Sequence, residues 1–319
     1  MSISIQKEGI LTTVQDTGRI GYRRFGINTS GAMDVSAVRL INTLLGNNET
    51  EAVLEMHFPA PEILFEDSAV FAVGGADFAG ELNNEPIENW KPYFAETGGV
   101  LRFTGKSFGN RAYLSVKGGF DLDKWLGSAS TNLTAKIGGF SGRRLQKNDK
   151  LLFKNRNPKA KRFNFKLSNE VIPFYSRFPT VRIIEGAEFE SLNAYSEQCL
   201  LHNNFTVSQN SDRMGYRLTG EPLYLLDKKE LVSSAVNFGT IQLLPEGQMI
   251  ILMADCQTSG GYPRIAHIIE IDLPLVAQLG TNDKIAFQLI SLIEAENILL
   301  DFKKDLQFLK IGVNYSSNF

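Results

Sequence analysis

The sequence is poor in the residues that build metal sites and disulfide frameworks. Only two of its 319 residues are cysteine and three are histidine. His57, His202 and His267 lie far apart, and no His or Cys pair has metal-ligand spacing, so we predict no metal site. Cys199 and Cys256, with no signal-like segment behind a basic N-terminus, indicate a reducing compartment. We therefore expect a cytoplasmic protein.

Several motifs are also missing. The sequence has no Walker-type phosphate loop, no Rossmann glycine fingerprint after a strand and no Met-Lys-Met tag of the kind that carries biotin. No apolar run approaches the length of a membrane span. The formal net charge of -2 gives no general attraction to nucleic acid or to anionic lipid. We expect neither nucleic acid nor membrane as a partner.

What the chain has is the composition of a globular protein, with 43% apolar and 21% charged residues. Its length predicts two domains. The 28 glycines and 22 phenylalanines, spread among many short apolar runs, favour strand-rich barrels. We predict a mainly β protein with a few helices and domains at residues 1–165 and 166–319.

The predicted join is basic, with Lys154, Arg156, Lys159, Lys161, Arg162 and Lys166. A nucleic-acid patch is one interpretation, but aromatic platforms and a recognisable motif are lacking. A solvated crossover between domains is favoured.

Two internal echoes suggest that the domains are related. SVKGGF at residues 115–120 is echoed by TSGGYP at residues 258–263. FGINTSGAMDVSAVRL, which begins at Phe25, is echoed by FTVSQNSDRMGYRL, which begins at Phe205. The order is the same in both halves, so we predict an internal duplication.

The most informative stretch runs from Gly239 to Ile268. An apolar run at residues 249–253 is typical of a buried strand. A polar corner follows, with Asp255, Gln257, Thr258, Gly260, Gly261 and Tyr262. Polar side chains and paired glycines directly after a buried strand predict a binding site, although a polar loop closing two strands is the alternative.

Polar clusters also occur in the first half. Gln15, Asp16 and Arg19 surround Gly18, where they either form a turn or face a ligand. Asp34 precedes a helical pattern that ends before Gly46, so it is a natural N-cap; the free amides of that helix start could also receive an anion or a polarised carbonyl oxygen.

Two further candidates carry positive charge. Lys117 ends a predicted strand, where it could polarise a carbonyl group or extend into solvent. In the loop from Ser208 to Leu218, Asp212 and Arg213 could form an ion pair, or Arg213 and Arg217 could clamp a carboxylate or phosphate.

A nucleophilic pair of Cys256 and His267 is conceivable, but we favour a buried Cys256 with a structural role. Near the C-terminus, apolar residues from Leu292 to Phe302 predict a long amphipathic helix that packs on the second domain.

Together the motifs resemble the biotin-dependent carboxyltransferase-like family, which includes the C subunit of prokaryotic 5-oxoprolinase (formerly allophanate hydrolase subunit 2), the protein KipA and the carboxyltransferase part of urea carboxylase. The resemblance spans almost the whole chain. The motifs that carry it are TTVQDTGRIGYRRFGI, SGAMD, GSAS, SQNSDRMGYRL and GTIQLLPEGQMIILMADCQTSGGYPRIAHI. Two positions depart from the family pattern: Asn148 stands where a turn glycine is usual, and Cys256 where a basic residue is frequent.

The resemblance implies two cyclophilin-like β-barrel domains that face one another across a cleft. We predict catalytic roles for Lys117, Asp255 and Gln257, of which Asp255 and Gln257 lie in the family motifs. The resemblance also implies that the substrate is bound by Gln15, Asp16, Arg19, Met33, Asp34, Ser211, Asp212, Arg213, Met214, Arg217, Thr258, Gly260, Gly261 and Tyr262.

The activity implied is that of one component of an ATP-dependent hydrolase complex that opens 5-oxo-L-proline to L-glutamate, and this component is inactive alone. The implied partners are a KipI-like protein and a lactam-utilisation-type protein, with ATP on one of these partners. One alternative is a carboxyltransferase that acts on a urea-like amide with biotin on another chain. The other is a non-catalytic regulator that binds a KipI-like partner.

Overall fold

The structure is a computed structural model that describes residues 1–154, 163, 165–227 and 231–317. It is mainly β, as predicted. Its contacts divide it into two compact units. The first unit comprises Met1–Arg19, Asp34–Phe174 and Phe302–Phe319, and the second comprises Ile20–Met33 and Tyr175–Asp301. The domain boundary at residue 165 stays a prediction, and Arg156, Lys159, Lys161 and Arg162 of the basic segment lie outside the described residues.

The strands of the first unit are β1 (Ser2–Lys7), β2 (Thr12–Gln15), β3 (Val53–Met56), β4 (Glu62–Phe65), β5 (Ala69–Asp77), β6 (Gly80–Leu82), β7 (Glu85–Pro86), β8 (Tyr93–Ala95), β9 (Val100–Phe103), β10 (Phe108–Val116) and β11 (Lys150–Leu152). Those of the second unit are β12 (Thr180–Glu185), β13 (Phe205–Val207), β14 (Gly215–Thr219), β15 (Ser234–Ala235), β16 (Thr240–Leu243), β17 (Met249–Leu252), β18 (Ser259–Gly260), β19 (Arg264–Ile268) and β20 (Lys284–Leu289). The α-helices are α1 (Val35–Leu44), α2 (Ala194–His202), α3 (Leu273–Ala277) and α4 (Leu292–Ser317).

In the first unit two sheets enclose one core. Their strand orders are β11-β1-β4-β9-β6-β7 and β2-β3-β10-β5-β8. Ile3, Ile5, Phe65, Phe71 and Leu114 are fully buried in that core. Burial of large aliphatic and aromatic side chains at alternate strand positions is the main stabilising contribution of such a unit.

Helix α1 forms where the sequence predicts it. The Asp34 carboxylate accepts the Ala37 backbone N–H over 2.8 Å at the helix start, and Gly46, at φ 71°, follows the helix end. Val38 and Ile41 of the apolar face are fully buried. The N-cap and the apolar face together fix the position of the helix.

The second unit is a closed seven-stranded barrel with the order β12-β19-β16-β17-β14-β13-β20. Tyr216, Ile251 and Ile241 lie opposite one another on β14, β17 and β16, and all three are buried in the barrel core. Closure removes the exposed sheet edges that would invite pairing with other chains. The strands β15 and β18 pair separately.

Helix α4 agrees with the expectation only in part: its residues up to Asp301 belong to the second unit, and from Phe302 they belong to the first unit. There Lys310 Nζ lies 3.4 Å from Glu49 Oε2. Within residues 1–154, 163, 165–227 and 231–317, no helix has the length and apolar character needed to cross a bilayer.

Candidate functional site

The outer face of the second barrel carries a row of three side chains. Ile250 of β17 lies opposite Arg217 of β14 on one side and opposite Gln242 of β16 on the other. Successive side chains of a strand point to opposite faces, and the neighbours of these residues fill the barrel core. Arg217, Ile250 and Gln242 therefore point outwards.

This row forms the floor of a pocket of about 340 Å³, which we call the outer-face pocket. That volume is within the range of small-molecule sites. The lining contains both polar and apolar residues. It consists of Asn210, Asp212, Met214, Gly215, Arg217, Gln242, Leu244, Pro245, Glu246, Ile250, Leu252, Gln257 and Tyr262. Five residues of the predicted site, Asp212, Met214, Arg217, Gln257 and Tyr262, are thus brought together.

Gln242 is a polar residue of the pocket that sequence reasoning missed. Its side chain is fully buried, and Nε2 donates to the Tyr262 carbonyl oxygen over 3.1 Å. Gly260 lies against the amide, since a Cβ added there would come within 2.8 Å of Nε2. A glycine at position 260 therefore leaves room for this amide.

The loop before β14 is held by its own polar side chains. The Asp212 carboxylate accepts the backbone N–H groups of Met214 at 2.7 Å and Gly215 at 3.2 Å. Ser211 Oγ accepts the Arg217 N–H over 3.1 Å. Among the described residues, the Arg217 guanidinium has no ion pair, and Arg217 is exposed. Its charge is available to a ligand.

Arg213 and Asp255 form the ion pair that connects the two predicted loops of the site. Arg213 Nε donates to Asp255 Oδ2 over 2.8 Å, and Arg213 also donates to the Gly31 carbonyl oxygen. The backbone N–H of Asp255 donates to the Arg213 carbonyl oxygen over 2.8 Å. The pair orders both loops. The predicted pair of Asp212 and Arg213 was wrong in its acidic partner, because Arg213 pairs with Asp255 of the other loop.

The segment before Met33 fastens the polar corner. Arg23 donates to the Val236 carbonyl oxygen and, at 3.4 Å each, to the carbonyl oxygens of Gln257 and Thr258. Asn28 Nδ2 donates to the Asp255 carbonyl oxygen over 3.1 Å. Gln257 lines the pocket, and its backbone carbonyl oxygen accepts a hydrogen bond from Arg23.

Cys256 and His267 have separate environments. Cys256 is 1% exposed, and burial raises the pKa of its thiol, which disfavours the nucleophilic thiolate. His267 Nδ1 lies 3.1 Å from Thr240 Oγ1, and burial lowers the pKa of its imidazole. These contacts support the structural role favoured for Cys256.

In the first unit, Asp16 is the centre of a buried network. Its carboxylate accepts from Ser128 Oγ at 2.7 Å, from Ser130 Oγ at 2.5 Å and from the backbone N–H groups of Gly18 at 2.8 Å and Ala129 at 2.6 Å. The GSAS motif is therefore a loop built around one buried carboxylate.

The neighbours of Asp16 are buried as well. Arg19 is 1% exposed, donates to the Ser130 carbonyl oxygen and lies 5.1 Å from the centroid of the Trp125 ring. Gln15 Nε2 donates to Thr13 Oγ1 over 3.0 Å and to the Thr131 carbonyl oxygen over 3.2 Å. The contacts of Gln15, Asp16 and Arg19 hold the first unit together, and their binding of substrate stays a prediction.

Three further residues of the predicted site, Asp34, Met33 and Lys117, differ in burial and in their contacts. Asp34 caps α1, and its backbone N–H donates to Tyr113 Oη over 2.9 Å. Met33 is fully buried in the core of the second unit. Lys117 is half-buried in the first unit, and its backbone N–H donates to the Val70 carbonyl oxygen over 2.8 Å. Substrate and catalytic roles for these residues stay predictions.

The described residues contain no cluster of three or more His, Cys, Asp or Glu side chains arranged to hold a metal ion.

The barrel and its polar corner lie within the part of the chain that matches a known family model. A family model described as carboxyltransferase domain, subdomain A and B, matches residues 25–289. The chain belongs to this family, and the resemblance predicted from the motifs is confirmed.

Individual relatives are similar over most of the chain. The C subunit of 5-oxoprolinase from Haemophilus influenzae is 39% identical over 290 residues, which cover 90% of each chain. Its namesake from Escherichia coli is 35% identical over 92% of this chain and 93% of the relative. The urea amidolyase of Lachancea kluyveri is 30% identical over 91% of this chain, but the match covers only 17% of that enzyme.

Solved structures show the same fold. The urea amidolyase of K. lactis superposes with a TM-score of 0.90 at 26% identity, over 97% of this chain and 20% of the other. The Kluyveromyces lactis urea carboxylase gives a TM-score of 0.90 at 27% identity, over 98% of this chain and 29% of the other.

Proposed function

We propose that this chain is one component of an ATP-dependent 5-oxoprolinase complex that opens 5-oxo-L-proline to L-glutamate. The observation that carries the proposal is the 39% identity to the C subunit of a 5-oxoprolinase over 90% of both chains. A match that extends over nine-tenths of both proteins supports the same role for the whole chain.

The chemistry of the reaction requires several binding elements. A lactam is a stable amide, so its carbonyl oxygen is first phosphorylated by ATP, which releases ADP. Water then adds to the carbonyl carbon and the carbon–nitrogen bond breaks, with the nitrogen leaving as the protonated amine. A second water hydrolyses the resulting acyl phosphate to the carboxylate and inorganic phosphate. The carboxylate of the substrate needs a cation, and its amide group needs hydrogen-bonding partners that fix its orientation.

We assign substrate binding to the outer-face pocket. In this proposal Arg217, which is exposed and lines the pocket, holds the carboxylate, and the Gln257 amide orients the lactam. Asp255 acts indirectly, because its carboxylate is bonded to Arg213 and its loop carries Gln257. Lys117 is also proposed to hold an anionic group.

The ATP site belongs to a partner protein in this proposal. The triphosphate of ATP needs several cationic or backbone N–H donors. Of the described residues that line the outer-face pocket, Arg217 is the only Lys or Arg, and it shares the pocket with Asp212 and Glu246. This donor set does not suit a triphosphate, and the sequence has no nucleotide-binding motif.

The proposed partners are a KipI-like protein and a lactam-utilisation-type protein, and the chain alone is inactive. Purification of all three chains and measurement of 5-oxoproline-dependent ATP hydrolysis, with and without this chain, tests the proposal. We expect hydrolysis and glutamate formation only in the full mixture. Full activity of the partners without this chain would overturn it.

The urea amidolyase matches favour a second candidate, a carboxyltransferase that acts on a urea-like amide with biotin carried on another chain. Binding of biotin in calorimetry, with carboxyl transfer to urea, would select it. A non-catalytic regulator is a third candidate, and a complex with the KipI-like partner that leaves the mixture without turnover would select that. The match over nine-tenths of a 5-oxoprolinase component favours the first proposal over both.

A further inference from the structure

The amide oxygen of Gln242 is an acceptor that the described residues leave open. The side chain is fully buried, yet no hydrogen-bond donor of the described chain reaches Oε1. Burial of an amide oxygen without a donor is unfavourable, so buried polar groups are nearly always hydrogen-bonded. Because Gln242 lines the outer-face pocket, a ligand there is the natural source of the missing donor.

The orientation of the amide is determined by its other contact. Nε2 is 3.1 Å from the Tyr262 carbonyl oxygen, which can accept a hydrogen bond but cannot donate one. Rotation of the amide by 180° would place two acceptors against each other. Oε1 is therefore the free atom, and its complement on a ligand is an N–H group.

The residues of the pocket floor determine which ligand groups can lie beside that N–H group. Ile250 separates Gln242 from Arg217 in the cross-strand row. Neighbouring strands are about 4.8 Å apart, so the Cα atoms of Gln242 and Arg217 are about 10 Å apart. Arg217, Ile250 and Gln242 all line the pocket, so an apolar residue lies between the residue that carries the acceptor and the residue that carries the positive charge.

We propose that Gln242 is a specificity-determining residue that recognises the ring N–H of a small lactam carboxylate. The N–H donates to Gln242 Oε1, the ring methylenes pack on Ile250 and the carboxylate binds Arg217. The inference rests on the proposed function, which supplies the lactam and its carboxylate. It adds recognition of the ring N–H, the group that distinguishes a lactam from a cyclic ketone or a lactone.

The acidic residues of the pocket agree with a ligand of one negative charge. The Asp212 carboxylate is bonded to the N–H groups of Met214 and Gly215. Glu246 also lines the pocket. Its charge disfavours a second carboxylate, which is the group that ring opening creates.

The test compares two ligands that differ only at the ring nitrogen. 5-Oxoproline and 3-oxocyclopentanecarboxylate, in which CH₂ replaces N–H, are titrated calorimetrically into the full complex without ATP. We expect the wild-type complex to bind 5-oxoproline at least about fivefold more tightly, because the analogue leaves Oε1 without a donor. Equal affinity for the two ligands would overturn the inference.

A substitution of Gln242 provides the second part of the test. Gln242→Met removes the acceptor and keeps the length of the side chain, so we expect its complex to bind both ligands with equal affinity. Gln288→Met changes an exposed glutamine of β20 and should keep the wild-type preference. A folded Gln242→Met complex that retains the preference would also overturn the inference. If the variant fails to fold, the wild-type comparison decides alone.

Failure of the inference and failure of the proposed function are distinguishable. A wild-type complex that forms glutamate from 5-oxoproline but shows no preference for the ring N–H contradicts only the role of Gln242. A wild-type complex that forms no glutamate contradicts the proposed function itself.

Discussion

Arg213 Nε donates to Asp255 Oδ2 over 2.8 Å, and the two residues are only 8% and 9% exposed. The pair joins the loop before β14 to the loop after β17. Two charges withdrawn from water are stable only while each compensates the other. This pairing assigns Asp255 a structural task beside any part it has in catalysis.

The pair yields a prediction about stability. Asp255→Ala leaves the Arg213 charge buried and uncompensated, so we expect the free energy of unfolding to fall by about 3–5 kcal/mol. The double variant Arg213→Leu, Asp255→Ala removes both charges and should recover much of that loss. Urea denaturation of the full chain measures both. An Asp255→Ala chain with wild-type stability but no activity in the complex would instead indicate a catalytic carboxylate.

A second prediction concerns acid stability. Glu188 accepts from Arg264 Nη2 at 2.8 Å and Nε at 3.0 Å, and this hydrogen bonding lowers the pKa of Glu188 below its usual 4.5. A carboxyl group with a lowered folded pKa stabilises the fold above its unfolded pKa, and this contribution is lost as pH falls through the folded pKa. Glu188→Gln should therefore destabilise the chain at neutral pH and reduce the further loss below pH 4.5.

Urea denaturation between neutral pH and pH 3 tests this dependence. The matched control is Glu190→Gln, since Glu190 is exposed and has no ion pair among the described residues. The control should follow the wild-type curve. Identical pH dependence of Glu188→Gln and wild type would contradict the prediction.

A third prediction concerns Gly260, the glycine against the Gln242 amide. In Gly260→Ala the new methyl group would lie 2.8 Å from Gln242 Nε2, so the amide must move. We expect the affinity of the complex for 5-oxoproline to fall about fivefold or more, since the displaced amide no longer accepts from the ring N–H. The measurement is a calorimetric titration.

Gly105→Ala is the control for this substitution, because there an added Cβ meets nothing closer than the Ala79 Cβ at 3.9 Å. Its affinity should equal that of the wild type. Wild-type affinity of Gly260→Ala would show that the position of the Gln242 amide has no effect on binding.

Features encoded locally could be predicted from the sequence. Helix α1 follows from Asp34, the spacing of Val38 and Ile41, and Gly46, all of which lie within one short segment. The strand β17 was likewise predictable, because a short apolar run bounded by turn residues indicates a buried strand without reference to the rest of the chain. The glycines and phenylalanines, spread among many short apolar runs, likewise predicted a mainly β fold.

Features that depend on long-range pairing could not be predicted. Asp16 lies two residues before Gly18 in the sequence, but its hydroxyl partners Ser128 and Ser130 are more than 110 residues away. Gln242 alternates with buried Ile241 in the strand, which would have marked it as outward-facing. Its burial depends on Gly260 and Tyr262, and its place beside Ile250 depends on the register of β16 and β17.

The most direct test of the outer-face pocket as the substrate site uses Arg217→Leu. Calorimetric titration of 5-oxoproline and of 2-pyrrolidinone, which lacks the carboxylate, compares the wild-type and variant complexes. Loss of a charge-assisted hydrogen bond predicts that 5-oxoproline binds the variant at least about tenfold more weakly, while the affinity for 2-pyrrolidinone is unchanged. Unchanged affinity of the folded variant for 5-oxoproline would contradict the account.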